Sequence, residues 1–75
     1  MLTATVKSWS DEEGWGVLVS PEIREDIWAH FSAIGGPGYR ELIAGQAAMC
    51  DVEDLGGPVQ DACRFGAIRI VPARR

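Results

Sequence analysis

The sequence predicts an all-β fold, a small closed barrel of five antiparallel strands. Three observations predict it. Apolar and polar residues alternate in short runs. Clusters rich in Gly, Pro, Asp and Ser separate those runs. No segment carries a helical period long enough to stand as a helix. A flat five-stranded sheet would leave two open edges and one bare apolar face, and closure removes most of that exposure. With 75 residues, of which 47% are hydrophobic, one domain with one core is expected, its stability marginal.

The first strand covers residues 2 to 9. Leu2, Ala4 and Val6 share one side, and Thr3, Thr5, Lys7 and Trp9 share the other. The polar stretch Ser10 to Glu13, closed by Gly14, is a turn into a second strand over 15 to 19. Ser20-Pro21-Glu22 opens a loop that is expected to last to about Glu25. A third strand follows over 26 to 30, and Phe31 to Ile34 reads as a short helical turn. A long loop begins at Gly35-Gly36-Pro37-Gly38 and ends at Gly45, with one helical turn at most over 39 to 44. The fourth strand is expected over 46 to 53, with Ala48, Cys50 and Val52 on one face. After a turn over 54 to 58, the last strand is expected over 59 to 71, with Gly66 marking a bend or bulge. The domain is therefore 1–71, and 72–75 is a short basic tail. A partly open five-stranded barrel of this size is the OB type, whose second and third strands carry an oligonucleotide-binding face.

Composition narrows the function. Seven Lys and Arg against eleven Asp and Glu give a net charge of −4, which weighs against a duplex-DNA binder reliant on phosphate neutralisation. A single-strand binder takes much of its affinity from stacking bases on aromatic rings, so the charge leaves that class open. No apolar run is long enough for a membrane span, and the N-terminus lacks a signal-peptide pattern, so a cytoplasmic protein is expected. Cys50 and Cys63 read as small core residues. Metal chemistry is a poor second, because a zinc site needs more ligands than two cysteines and His30 supply. No carboxylate pair or nucleophile–base set points to an enzyme, and no cofactor or small-molecule substrate is implied.

The informative residues meet on strands two and three. Alternation turns Trp15 and Val17 outward with Gly16 and Leu18 inward, and Trp28 and His30 outward with Ile27 and Ala29 inward. Two tryptophans and a histidine thus share one exposed face. Lys7 and Trp9 lie on the neighbouring strand, and Phe31 and Tyr39 on adjoining loops. A patch of exposed rings suggests an interaction surface.

Gly14-Trp15-Gly16-Val17-Leu18 resembles the first ribonucleoprotein motif of cold-shock domains, and Ile27-Trp28-Ala29-His30-Phe31 resembles the second. His30-Phe31-Ser32-Ala33-Ile34 reads like the family's own run. Gly38-Tyr39-Arg40-Glu41-Leu42, Gly45-Gln46 and Val6-Lys7 fall where the family has an aromatic after glycine, a leucine, Gly-Gln and its basic strand end. The resemblance covers about residues 2 to 65. It implies an OB-fold barrel that binds single-stranded RNA or DNA. It further implies RNA-chaperone behaviour that supports transcription and translation under cold or other stress.

By that resemblance the base-stacking rings are Trp15, Trp28, His30, Phe31 and Tyr39, and the basic residue is Lys7. Gln60 is the nearest match to a glutamine on the last strand, one residue out of register. Three positions depart from the family pattern. Ser8 stands where an exposed ring is usual, Val17 where a phenylalanine is, and Glu13 where a lysine is. Trp9 could compensate for Ser8 if alternation holds, or turn inward at a bulge. Each residue also has a plainer reading. Phe31 could be buried, Tyr39 could anchor its loop, and Lys7 could be a solubilising charge; Arg69, Arg74 and Arg75 form a basic end that either extends the phosphate path or is a plain soluble tail. A second function follows from the departures and the acidic balance: a degenerate barrel whose aromatic face binds a protein or a second copy of itself. A monomer is the expected state, with a dimer as the alternative.

Overall fold

In a computed structural model, which describes residues 1–34, 42–56 and 63–72, five strands close into a barrel. They are β1 (Leu2–Ser10), β2 (Trp15–Ser20), β3 (Ile23–His30), β4 (Ala47–Asp54) and β5 (Phe65–Pro72), with a 3-10 turn at Phe31–Ala33. The order around the barrel is β1-β2-β3-β5-β4, with β4 pairing back to β1. Four of the five contacts are antiparallel. The fifth, β3 with β5, is parallel, which corrects the all-antiparallel expectation. The chain crosses from β3 through the 3-10 turn to β4 before β5 closes the gap, so β5 returns in the direction of β3.

Alternation builds the interior. Ala4 and Val6 of β1, Leu18 of β2, Ile27 and Ala29 of β3, Ala48 and Cys50 of β4, and Ala67 and Ile70 of β5 form one buried cluster, joined by Ile34 and Leu42. Leu18 and Ile27 are cross-strand partners and both fully buried, a pair contributing about 1.5–3 kcal/mol per side chain. Cys63 is buried as well. Burial, and next the neighbouring Asp51, push the Cys50 thiol pKa up, so it packs as a neutral group.

The other differences lie where pairing slips. The loop after Ser20 is only Pro21 and Glu22. Ser20 pairs with Ile23, and the ladder slips between Leu18 and Ser20, so the polar run 24 to 26 is absorbed into β3. The last strand begins at Phe65 rather than 59, and residues 57–62 lie outside the described ones. Its irregularity is at Ile68, not at Gly66. Asp51 pairs with Arg69 and Val52 with Ala67, so Ile68 is the extra residue. Pro72 closes β5 and so belongs to the barrel, not the tail. No helix among the described residues is long and apolar enough to cross a membrane.

Candidate nucleic-acid interface

The β2–β3 hairpin positions the rings. Its ladder is continuous from Trp15 opposite His30, through Gly16 opposite Ala29 and Val17 opposite Trp28, to Leu18 opposite Ile27. Unbroken pairing keeps the inward and outward sets separate, so Trp15, Trp28 and His30 stand half-buried on the outer side, apart from the core cluster. Their rings are contiguous. Trp15 and Trp28 have centroids 6.5 Å apart, Trp28 and His30 stack at 5.7 Å with 23° between planes, and His30 meets Phe31 at 4.5 Å. Phe31 is 38% exposed and no part of the core, which decides against burial for it.

Two local contacts hold the far end of this row. The Phe31 amide donates to the Gly14 carbonyl at 2.8 Å, and Gly14 has a φ of 77° that favours glycine. A side chain at Gly14 would also press on the Phe31 ring, with Cβ 3.0 Å from Cδ1. The Ser32 amide donates to His30 Nδ1 at 3.2 Å, and the Ser32 Oγ lies 2.8 Å from the same nitrogen. When Nδ1 accepts from the Ser32 amide, a neutral ring carries its proton on Nε2, and that N–H is a donor.

Trp9 does not join the row. The β1–β2 ladder steps from Val6–Leu18 to Ser8–Val17, so Lys7 is an extra residue and the phase beyond it inverts. Ser8 then shares the outer side with Val17, and Trp9 pairs with Gly16 and packs against the core. The expectation that Trp9 stands beside Lys7 is therefore corrected: the bulge turns it inward. Its Nε1 is sealed from solvent without a hydrogen-bond partner among the described residues. Gly16 permits this packing, since a Cβ there would meet the Ser8 carbonyl oxygen and come within 2.8 Å of Trp9 Cα.

Lys7 stays exposed, and its Nζ lies 3.0 Å from Asp26 Oδ2 on β3. Val17, outward by parity, is only 8% exposed although it lies outside the core cluster. It is the ladder partner of Ser8 on one side and of Trp28 on the other. Tyr39 and Gln60 lie outside the described residues. The sequence reading missed the Lys7–Asp26 pair. Only the outward parity of Asp26 with Trp28 could have signalled it.

A second charged group lies at the base of the β4–β5 connection. Arg64 Nε and one terminal nitrogen reach Asp54 at 3.3 and 3.0 Å, with Glu25 at 3.9 Å and the Phe65 ring 5.7 Å away. The Arg64 hydrogen bond, then the Gly56 amide, hold the Asp54 carboxyl below its usual pKa. No group of three or more candidate metal ligands forms among the described residues.

Residues 2–65 match the family model described as the 'Cold-shock' DNA-binding domain. The cold shock protein ScoF of Streptomyces coelicolor is 40% identical over 52 residues, covering 69% of this chain and 78% of its own. The major cold shock protein of Streptococcus pyogenes is 43% identical over 54 residues, with shares of 72% and 79%. The cold shock-like protein CspLB of Listeria monocytogenes is 41% identical over 59 residues, with shares of 77% and 88%.

Proposed function

The chain belongs to the cold-shock domain family, and on that premise we propose that it is a cytoplasmic single-strand-binding module that stacks unpaired bases on Trp15, Trp28, His30 and Phe31. The observation that carries this reading is the contiguous row of four rings outside the core. Every base offers a π-face, and stacking on a protein ring is worth about 1–3 kcal/mol per base with little sequence preference. The Nε2–H of His30 adds a donor for a base or a phosphate oxygen. Tyr39 and Gln60 enter the reading through the family's motif alone.

Holding bases unpaired opposes RNA or DNA secondary structure. The module therefore acts as an RNA chaperone that keeps transcripts open for transcription and translation under cold or other stress. It binds as a monomer, through a unit that ends with β5, and carries out no chemistry.

Titration of the intrinsic tryptophan fluorescence with heptameric oligo-dT and oligo-dC at low salt tests this. Quenching that weakens as salt rises supports strand binding. Absence of quenching at low salt rejects it. A salt-insensitive response to added copies of the chain itself would instead favour the aromatic face as a protein contact, a reading motivated by the net charge of −4 and the neutralised Lys7.

A further inference from the structure

The described cations are Lys7, Arg24, Arg64 and Arg69, and they divide into two kinds. Lys7 is held by Asp26, and Arg64 by Asp54 with Glu25 nearby. Arg24 and Arg69 are exposed and make no ion pair among the described residues. The carboxylates next to them in sequence or across the ladder have other partners. Around Arg24, Glu22 accepts from the Thr3 amide at 3.4 Å, Glu25 faces Arg64 at 3.9 Å, and Asp26 holds Lys7 at 3.0 Å. Asp51, the ladder partner of Arg69, lies 3.6 Å from the Met1 amino group.

Register places these two arginines relative to the rings. Arg24 is exposed and lies where the β2–β3 ladder slips, between Ile23 opposite Ser20 and Ile27 opposite Leu18. The four residues from Ile23 to Ile27 oppose only the two from Leu18 to Ser20, so Arg24 stands beyond Trp28, toward the Ser20 end of the ladder. β5 runs parallel to β3, with Gly66 opposite Trp28 and Ile70 bridging Ile34. Arg69 is therefore level with the 3-10 turn, just past Phe31. The extra residue Ile68 makes two successive side chains, Ile68 and Arg69, face outward between buried Ala67 and Ile70. The uncommitted guanidinium groups thus stand off opposite ends of the ring row.

Resting on the stacking reading above, we infer that a bound single strand runs along the β3 axis with its phosphodiester backbone anchored at the two ends by Arg24 and Arg69. A guanidinium fork matches two phosphate oxygens at once. Lys7, between them, must leave Asp26 before it can reach a phosphate, so its net contribution is smaller. Arg69 lies beyond residues 2–65, so this anchor is a property of this chain and not of the segment matched to the family.

The test is the anisotropy of fluorescein-labelled oligo-dT, long enough to span both arginines, titrated with the full chain at several KCl concentrations. Arg24→Gln and Arg69→Gln should each weaken binding several-fold at low salt. Each should also flatten the plot of log affinity against log salt by about 0.7, the value of one single-strand phosphate contact. Arg24→Lys and Arg69→Lys should keep the wild-type slope, which a purely structural role would not require. Lys7→Gln should change the slope less than either arginine variant. If wild type binds and Trp28→Ala weakens it, but both Arg→Gln variants keep the wild-type slope, the anchors are refuted and stacking stands. If wild type does not bind at all, both ideas fall together.

Discussion

The β2–β3 hairpin and the bulged half of β1 begin from the same pattern, an indole two positions from another outward residue, and end with opposite results. In the hairpin, pairing runs without a break from Trp15–His30 to Leu18–Ile27, and the rings stay on the wet side. In β1, one surplus residue at Lys7 swaps the faces beyond it, and Trp9 packs inward against Gly16. The contrast teaches that parity is only as good as the ladder that carries it. Lys7, the surplus residue, pairs with Asp26 on β3.

The largest way to break this contrast is Gly16→Ala. The added methyl would collide with the Ser8 carbonyl and with Trp9 Cα, so the bulge must move. A loss at or beyond the upper end of about 1–3 kcal/mol is expected, read as a lower urea midpoint. An unchanged midpoint would show that the bulge yields freely.

Trp28→Ala comes next, on the other side of the comparison. It should cost about 1–3 kcal/mol of single-strand affinity. The urea midpoint should fall less than for Gly16→Ala, because Trp28 is no part of the core cluster. Equal oligo-dT affinity in variant and wild type would contradict the ring row's role.

Trp9→Phe sharpens the contrast by deleting a sealed N–H that finds no acceptor among the described residues. Leaving a buried donor unsatisfied costs about 1–3 kcal/mol, which offsets the packing lost with the smaller ring. Stability should hold or rise, and oligonucleotide affinity should not move. A clear drop in affinity would put Trp9 back among the binding rings.

The smallest effect lies outside both regions, at Asp54 and Arg64. The folded carboxyl titrates below its usual value of about 3.9. Its stabilisation is thus present above that unfolded value and lost as pH falls through the depressed folded one. Asp54→Asn should flatten the acid limb of urea midpoint against pH slightly, the pair being solvent-exposed. An acid limb steeper in the variant would reverse the sign.

Much of the site was legible because its residues sit in regular pairing. Trp15, Trp28 and His30 needed only period two, and the 3-10 turn at Phe31 followed from the end of that run. What period two alone did not fix shares one cause. The slips at Lys7, between Leu18 and Ser20, and at Ile68 are choices between neighbouring registers with no local signal in residue type. Glycine drew attention to Gly66, but the extra residue is Ile68, a β-branched side chain on the exposed side. The parallel β3–β5 contact depends on how the barrel closes, and Phe65 and Ile27 are too far apart in sequence for local pattern to report it.

Val17 carries a last consequence. It lies sealed on the outside of the barrel, opposite Trp28 in the ladder, and offers a dry apolar surface beside that indole. Side chains already immobilised in the free protein surrender little rotamer freedom when a ligand arrives, typically about 0.5–1.5 kcal/mol each where they are loose. A valine too short to stack can therefore favour association indirectly, by readying its neighbours.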